Sequence, residues 1–447
     1  MEKKYYLLIL LGLGLLTHFA FFGYPNQTVF DEVHFGKFVS GYYTGEYFFD
    51  IHPPLGKMAI AGFGKLFNFE PGFAFAEIGN QYPDKQYMIL RFLPNLAGSL
   101  LPLVIFLLLL EMGLGKRDSF FGGLFIVLEN AILTQSRYIL LDSFLLLFGF
   151  LALLFYFRYK NLKPITYNLL LFGLFSGLAI SVKWTGLSFL ALPLAIEAYK
   201  ILKNKDFKNI PKNLLMPIVI AAGIYFIFFA GHLIILNKSG PGDAFMNVGF
   251  QKTLIGSKYK NDPAKTPNIF QKFTELNVQM YKSNQGLTAT HPYSSQWYSW
   301  PSMSRPIYYW VNGDARIYLI GNPIIWWSSA IAVMFYVLWS LAYGLKTKET
   351  HYTLHSTGYF LIAGYVLNLL PFIGVKRVMF LYHYFTAYIF AIVIMAWLIS
   401  RTKNSKIIFG VLLILSVAAF IYFAPLNYGL ELSPKAYEAR IWLENWK

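Results

Sequence analysis

Two adjacent carboxylates, Asp31 and Glu32, follow the first apolar segment of the chain. A carboxylate within hydrogen-bond reach of a hydroxyl can accept its proton, so either residue is a candidate general base. The same pair is equally typical of a helix start, with Asp31 as the N-cap and Glu32 in the first turn. Adjacent residues at a helix start point about 100° apart, so we expect only one of them to face a substrate. The local sequence does not rank them.

A group of basic residues at the ends of apolar segments provides the opposite charge. It comprises Arg137, Lys183, Lys376, Arg377 and His383. Each residue taken alone is typical of a cation at the end of a membrane helix. Together at one membrane face they predict a phosphate site, in which Arg137 and Arg377 bind best because guanidinium groups form paired hydrogen bonds. His52 and Asp142 are predicted to support this site, Asp142 by pairing with Arg137 or another cation.

The composition narrows the class of protein that can carry these residues. Of 447 residues, 56% are hydrophobic and only 13% are charged, whereas a soluble domain has about 25% charged residues. This excludes an ordinary soluble enzyme and a disordered protein. The chain has no cysteine, which excludes a disulfide framework, a thiolate zinc site and a cysteine nucleophile. It also lacks a Walker-type phosphate loop, an H-E-x-x-H motif and a D-x-D motif, which disfavours an ATP-driven pump and a zinc protease of that type.

Membrane-spanning helices must position the candidate residues. A helix needs about 20 apolar residues to cross a bilayer. Eleven such segments are predicted, at residues 4–22, 88–112, 118–136, 138–157, 165–182, 185–201, 214–236, 323–344, 355–374, 378–399 and 407–424. The chain is therefore predicted to be an all-α polytopic membrane protein with a single transmembrane domain over residues 1–447.

The charge distribution predicts the orientation of these segments. With the N-terminus in the cytoplasm, most basic residues of the short connections fall on the cytoplasmic side, among them Lys163, Lys346 and Lys348. The short connections on the other side hold only the lysines and arginines of the basic group, so the positive-inside rule is satisfied. The net charge of +16 is therefore weak evidence for nucleic-acid binding, and none is predicted. Counting the crossings from a cytoplasmic N-terminus also places three longer segments outside: 23–87, 237–322 and 425–447.

The first of these outside loops is predicted to contain an amphipathic helix. Pro53 and Pro54 stop one element and can start another. The apolar residues that follow recur at helical spacing, with Lys57 and Lys65 off that face. Such a helix would lie in the plane of the membrane interface. It would hold the carboxylates of the loop at the level of a lipid headgroup.

Seven sequence blocks make the chain recognisable. They are F-D-E-V-H-F-G-K-F (30–38), Y-F-F-D-I-H-P-P-L-G-K (47–57), S-R-Y-I-L-L-D-S (136–143), S-V-K-W-T-G-L (181–187), H-P-Y-S-S-Q-W-Y-S-W-P (291–301), I-Y-L-I-G-N-P-I-I-W-W (317–327) and F-L-Y-H-Y-F-T-A (380–387). In this order they resemble the protein O-mannosyltransferases, which form glycosyltransferase family 39 of the GT-C class. Eukaryotic members carry a β-trefoil MIR domain in the large loop, and residues 237–322 are too few to hold one, so the chain resembles the prokaryotic members.

The resemblance implies a GT-C fold and an inverting transfer of mannose from a polyprenyl- or dolichyl-phosphate donor to Ser or Thr hydroxyls of secreted or membrane proteins. It implies that Asp31 is the general base, with Glu32 second. The phosphate leaving group is already a stable anion, so no second carboxylic acid has to protonate it, unlike in glycoside hydrolysis. It needs positive charge and hydrogen-bond donors instead. No metal and no cofactor are predicted, because the lipid-phosphate-mannose is a substrate.

The second outside loop is rich in aromatic residues that could form an interfacial belt or a groove for an acceptor peptide. Trp297, Trp300 and Arg305 are predicted as acceptor contacts, and Asn322 is predicted to line the same cavity. Two alternatives remain: a related GT-C transferase that modifies a lipid or glycan, and a transporter or flippase. The H-P-Y-S-S-Q-W-Y block disfavours the first, and the clustering of ionisable residues at one face disfavours the second. The expected location is the plasma membrane, with the site and the C-terminus extracytoplasmic.

Overall fold

The computed structural model describes residues 2–161, 166–286, 290–344 and 352–447. Within these ranges the α-helices are α1 Lys3–Phe19, α2 Glu32–Thr44, α3 Leu55–Leu66, α4 Tyr87–Glu111, α5 Lys116–Val127, α6 Asn130–Ser136, α7 Asp142–Asn161, α8 Thr166–Val182, α9 Leu187–Asn204, α10 Met216–Ile235, α11 Val248–Gln251, α12 Ile269–Gly286, α13 Pro323–Gly344, α14 Tyr352–Leu369, α15 Phe385–Ser400, α16 Ser405–Tyr428 and α17 Pro434–Glu438. The strands are β1 Ile307–Asn312 and β2 Ala315–Leu319. The basic residues Lys163, Lys346 and Lys348, which contributed to the predicted orientation, lie outside the described residues.

Eight helical segments in the described part of the chain are long and apolar enough to cross a membrane. They are Tyr87–Glu111, Asp142–Asn161, Trp184–Asn204, Phe207–Ile235, Pro323–Ala342, Thr357–Gly374, Leu381–Ser400 and Ser405–Tyr428. The shorter helix α8 is also apolar. The prediction of an all-α polytopic membrane protein is confirmed, while the count of eleven crossings stays a prediction.

Two predicted spans differ from the helices that form. The segment 118–136 is broken into α5 and α6 at Glu129, whose backbone is extended and whose side chain accepts a hydrogen bond from Ile132 N at 2.9 Å as the N-cap of α6. The segment 378–399 becomes helical only at Phe385, because a 3₁₀ turn precedes α15. Apolar composition predicted both segments and could not locate these interruptions.

The centre of the molecule is formed by α4, α7 and α15. Most side chains of these three helices are buried, and almost every residue of α15 is enclosed by protein. The helices α10 and α16 instead leave most of their side chains at least partly exposed. Because a membrane helix exposes apolar side chains to lipid without penalty, this distribution is typical of a bundle whose outer helices face the bilayer. The buried central helices supply the rigid support of the site.

The long loops pack together at one end of the bundle. The strands β1 and β2 form an antiparallel hairpin, in which Ile307 pairs with Leu319 and Asn312 with Ala315. The backbone nitrogen of Phe30 donates to the carbonyl of Tyr309 at 3.2 Å, which ties the first outside loop to the hairpin. The helix α16 continues to Tyr428, beyond the predicted end at 424, so the C-terminal tail begins later than predicted.

The helix α3 occurs where an in-plane helix was predicted, with one difference. Lys57 was predicted to lie off the apolar face, yet its side chain is 1% exposed and pairs with Asp50. The side chains of Leu66 and Phe67 are instead exposed. The inward face of α3 thus combines apolar residues such as Ile60 and Ala61 with the buried Lys57 ion pair, and its C-terminal end leaves apolar side chains exposed. The position of α3 in the interface plane stays a prediction.

Candidate active site

Asp31 lies at the start of α2, where the backbone is held in an unusual conformation. Phe30 has a φ of 47°, a left-handed value that is uncommon for a non-glycine residue and that concentrates at functional sites. The Phe30 ring stacks on the Tyr309 ring with centroids 4.0 Å apart, which holds this conformation. Among the described residues, the Asp31 carboxylate makes no capping hydrogen bond to α2. It is partly exposed and therefore available to a substrate.

Glu32 points the other way and is completely buried. Arg91 donates to both of its carboxylate oxygens at 2.7 Å, from Nε and from Nη2. The backbone nitrogens of Val29 and Ile139 donate to the same carboxylate at 2.8 and 3.0 Å, and the Tyr82 hydroxyl donates at 3.2 Å. A carboxylate whose acceptor sites are filled in this way fastens the loop to α4 and has no lone pair left for a substrate. The geometry therefore favours Asp31 over Glu32 as the base.

A cavity of about 240 Å³ is lined by groups with which Asp31 interacts electrostatically, among them Lys183 and Asp142. Its polar lining consists mainly of His52, Asp142, Lys183, Arg377, Tyr382 and His383, and α12 forms part of its wall. A cavity of about 10–15 Å³ on this measure already holds one water molecule, so this cavity has space for a sugar ring. Five residues of the predicted site are thus brought together from distant parts of the sequence: His52, Asp142, Lys183, Arg377 and His383.

Lys183 is fixed by Asp142 at the rim of this cavity. The Lys183 ammonium donates to Asp142 Oδ1 at 2.7 Å, and Gln135 Nε2 donates to Asp142 Oδ2 at 2.7 Å. The ammonium also lies 5.2 Å from the centroid of the Tyr382 ring. The predicted pairing of Asp142 with a cation is therefore present, with Lys183 in the place of Arg137.

Arg377 is oriented by His383. The Arg377 Nη2 lies 3.3 Å from His383 Nε2, and a guanidinium can only donate, so Nε2 accepts. The Nδ1 then carries the proton and donates to the Phe380 carbonyl at 3.0 Å. His383 in this tautomer is neutral, so its role is to direct the Arg377 fork and not to add charge.

His52 faces the same cations. Burial, followed by the charges of Lys183 and Arg377, holds the pKa of His52 well below its usual range. The imidazole is consequently neutral near pH 7 and can contribute a hydrogen bond. The predicted supporting role of His52 is compatible with this location.

The charge state of Asp31 depends on this environment. Burial raises the pKa of the Asp31 carboxyl to about 7; the Lys183 ammonium opposes the shift, and the Asp142 and Asp50 carboxylates add to it. The Asp31 carboxylate also interacts electrostatically with Tyr382. Asp31 is not part of the cavity lining, but it interacts electrostatically with Lys183, Asp142 and Tyr382, which are part of it. A base with a pKa near the working pH combines a usable ionised fraction with a strong affinity for the proton.

The reaction rate is expected to rise with pH through about 7. A base must be ionised to accept a proton, so the protonated Asp31 at lower pH is inactive and the carboxylate at higher pH is active. The measurement is the initial rate of transfer at saturating donor between about pH 5.5 and 8.5. A rate that is constant over this range would rule out a base with the pKa of Asp31.

Two of the predicted phosphate ligands lie elsewhere. Arg137 donates to the carbonyls of His18, Ala20 and Phe21 at 2.6 to 3.0 Å. It thereby satisfies carbonyls at the C-terminal end of α1, which is a common role for a basic side chain. Lys376 is exposed and does not line the cavity. The prediction that ranked Arg137 and Arg377 highest is corrected for Arg137, because the structure assigns this guanidinium to a helix end.

The predicted acceptor contacts are also distributed differently. Trp300 and Asn322 are fully buried; Asn322 donates to the Leu128 and Ser416 carbonyls, so neither can contact an acceptor as predicted. Arg305 donates to the backbone carbonyls of Pro292, Asn445 and Lys447 and thus joins the loop to the C-terminal tail. Only Trp297 is partly exposed and without such a backbone role.

Sequence reasoning missed Tyr382 and Gln135. Tyr382 lines the cavity and interacts electrostatically with both Asp31 and Arg377. It belongs to the F-L-Y-H-Y block, which could have drawn attention to it. Gln135 directly precedes the S-R-Y-I-L-L-D-S block and reaches Asp142. An uncharged amide in an apolar stretch gives no signal of such a contact.

Comparison with known protein families covers most of the chain. Residues 8–237 match the model of dolichyl-phosphate-mannose-protein mannosyltransferases. Residues 269–446 match the model of the C-terminal four-transmembrane region of protein O-mannosyltransferases. The C-terminal match follows the other along the chain, in agreement with its description.

Curated relatives include eukaryotic proteins that are named protein mannosyltransferases. Dolichyl-phosphate-mannose–protein mannosyltransferase 4 of Candida albicans is 34% identical over 263 residues, which are 55% of this chain and 35% of the relative. Protein O-mannosyl-transferase 2 of Danio rerio is 31% identical over 310 residues, which are 66% of this chain and 40% of the relative. The matched part of the chain thus spans between a third and two fifths of the length of these relatives.

Solved structures share the fold. A structure of the Saccharomyces cerevisiae protein O-mannosyltransferase Pmt1–Pmt2 complex bound to the sugar donor matches with a TM-score of 0.94 at 20% identity, over 100% of this chain and 93% of that chain. ArnT from Cupriavidus metallidurans bound to undecaprenyl phosphate matches with a TM-score of 0.54 at 16% identity, over 93% of this chain and 63% of that chain. These matches confirm the GT-C fold. With the family matches over residues 8–237 and 269–446, they make this multi-pass membrane protein a member of the protein O-mannosyltransferase family.

Proposed function

We propose that the protein transfers mannose from a polyprenyl- or dolichyl-phosphate donor to Ser or Thr hydroxyls of proteins. The observation that carries this proposal is the electrostatic interaction of Asp31 with Lys183 and Asp142, which line one cavity together with Arg377. A carboxylate and two cations around one cavity can activate a hydroxyl and stabilise a departing phosphate at the same time. Family membership supports the choice of mannose and of a protein acceptor.

The proposed step is a single displacement at the anomeric carbon. Asp31 accepts the proton of the acceptor hydroxyl as its oxygen bonds to this carbon. The bond between the carbon and the phosphate oxygen breaks, and its electron pair leaves with the lipid phosphate. Lys183 and Arg377 stabilise the negative charge that develops there. The attack from the side opposite the phosphate inverts the sugar configuration.

The proposal includes no metal ion and no cofactor. Two protein cations are available for the phosphate charge, and His383 keeps the guanidinium of one of them oriented. We also propose that the cavity and the C-terminal tail face the extracytoplasmic side of the plasma membrane. The acceptors would then be secreted or membrane proteins, and the donor would enter from the bilayer.

The direct test is a transfer assay with the purified full-length protein, a polyprenyl-phosphate-mannose donor and a Ser/Thr-containing peptide. The expected product is a peptide that carries mannose, detected by mass spectrometry. The same peptide with Ala at every Ser and Thr is the matched control and should remain unmodified. Transfer to a lipid or glycan acceptor without transfer to the peptide would refute the proposed acceptor class.

Replacing Arg377 with Ala is expected to lower kcat/KM for the donor by about 10²–10³-fold, the usual effect of removing one donor from a developing oxyanion. Lys376 is the matched control because it is the neighbouring cation but is exposed and outside the cavity. Lys376→Ala should retain activity near that of the wild type. Equal losses in both variants would mean that general surface charge, and not a phosphate ligand, matters here.

A further inference from the structure

We infer that Gln135 and Tyr309 are positioning residues that together fix Lys183 relative to Asp31. Neither residue reaches the cavity lining, so neither is assigned a contact with the substrate. This inference rests on the proposed function, because it concerns the separation between the base and the cation that holds the lipid phosphate.

A continuous chain of buried hydrogen bonds links these residues. The Tyr309 hydroxyl donates to Gln135 Oε1, Gln135 Nε2 donates to Asp142 Oδ2 at 2.7 Å, and the Lys183 ammonium donates to Asp142 Oδ1 at 2.7 Å. The Asp142 carboxylate can only accept, so the Gln135 amide must turn its nitrogen toward Asp142 and its oxygen toward Tyr309. Gln135 is 3% exposed and Tyr309 is 1% exposed. Water therefore does not compete for these bonds.

Tyr309 also holds the segment that carries Asp31. Its ring stacks on Phe30 with an angle of 6° between the planes, and its carbonyl accepts the backbone nitrogen of Phe30 at 3.2 Å. Phe30 directly precedes Asp31 and has the positive φ that turns the chain into α2. Tyr309 thus contacts Phe30, next to the base, with its ring and backbone. Its hydroxyl contacts Gln135, in the hydrogen-bond chain that leads to Lys183.

The parts that are joined in this way come from separate elements. Gln135 lies on α6, Asp142 begins α7, Lys183 follows α8 and Tyr309 lies on β1. Nothing in the covalent chain sets the distance between Lys183 and Asp31. Without Gln135, one Asp142 oxygen would lose its donor, and the carboxylate and its ammonium partner would be free to turn. Misplacement of a reacting group by about 1 Å can cost 10²-fold in rate, so a positioning effect of this kind is measurable.

The test compares Gln135→Met, Tyr309→Phe and the double variant in the full-length protein. Met has nearly the length of Gln but cannot complete the chain, while Phe keeps the stacking on Phe30 and loses only the hydroxyl. We expect kcat/KM for the donor to fall about tenfold in Gln135→Met and about threefold in Tyr309→Phe. Because both variants interrupt the same chain, the double variant should be no slower than Gln135→Met alone.

Two further measurements separate positioning from a general loss of structure. The affinity for a polyprenyl phosphate without sugar should weaken in Gln135→Met, because the ammonium is no longer held. The midpoint of the pH–rate profile should move to higher pH, because Lys183 lowers the pKa of Asp31 and would now lie farther away. The control is Ser136→Ala, which removes a buried hydrogen bond to the Ile132 carbonyl from the same helix without touching the chain. Its activity should match the wild type.

The inference is overturned if the losses of the two single variants multiply in the double variant. It is also overturned if Gln135→Met keeps both the phosphate affinity and the pH midpoint of the wild type. Failure of the proposed function would look different, since the wild-type protein itself would then transfer no mannose to the peptide.

Discussion

Replacing Asp31 with Asn is expected to lower the rate of mannose transfer by about 10²–10⁴-fold, the usual contribution of a general base. Asn preserves the shape of the side chain and cannot accept a proton. Donor binding should change little, because the cations Lys183 and Arg377 remain in place. The measurement is kcat with peptide at saturating donor, together with the affinity for a polyprenyl phosphate. Transfer at near the wild-type rate would remove Asp31 from the mechanism.

Above about pH 7, Asp31→Asn should be at least as stable as the wild type. Burial raises the folded-state pKa of Asp31 from 3.8 to about 7, so the native state favours the protonated form. Stability then falls as pH rises between these values, and above the folded pKa the cost of burying the charge is fully present. Asn carries no charge and avoids this cost. A thermal midpoint equal to or above that of the wild type at pH 8 would therefore accompany the loss of activity.

Replacing Glu32 with Gln is expected to destabilise the protein by about 3–5 kcal/mol, the usual cost of breaking a buried ion pair by removing one partner. Arg91 would stay buried with an uncompensated charge, and the Gln amide nitrogen would face its donors. The measurement is the unfolding midpoint of the protein in detergent. Glu70→Gln is the matched control because Glu70 is exposed, and it should unfold like the wild type.

The two carboxylate variants should thus fail in opposite ways. Asp31→Asn should lose turnover and keep its fold, whereas Glu32→Gln should lose stability first and activity only as a consequence. An unfolding midpoint of Glu32→Gln equal to that of the wild type would show that the Arg91 pair does not fasten the loop. It would also reopen the choice between the two carboxylates.

The sequence was sufficient to predict the helices and the membrane class, because each helix has its own apolar pattern. The break at Glu129 was not predictable, since it depends on a carboxylate that caps α6 inside an otherwise apolar segment. The late start of α15 has a similar origin, because Leu381 and Tyr384 are apolar whether they lie in a 3₁₀ turn or in an α-helix.

The candidate site was predictable in part. Lys183, Arg377 and His383 lie where the charge pattern placed them, on the lining of one cavity. Arg137 carries the same local signal as Arg377, a cation at the end of an apolar segment. The difference between them is tertiary: the end of α1 presents three carbonyls to Arg137, and no local pattern reveals which helix end lies nearby.

The separation of Asp31 from Glu32 likewise depends on distant residues. Helix geometry predicted that the two side chains point in different directions. Only the position of Arg91 on α4 decides which of them is buried. Trp300 was mispredicted for a similar reason. An aromatic residue in a loop is typical of a binding groove, yet the Trp300 ring is buried and packs against Phe372.

The most direct test of the central claim is an experimental structure of the protein with a polyprenyl phosphate bound. The phosphate should lie within hydrogen-bond distance of the Lys183 ammonium and the Arg377 guanidinium, with space for a sugar ring between it and Asp31. A phosphate bound beside Arg137, or outside the cavity that Lys183 and Arg377 share, would contradict the proposed arrangement of base and cations.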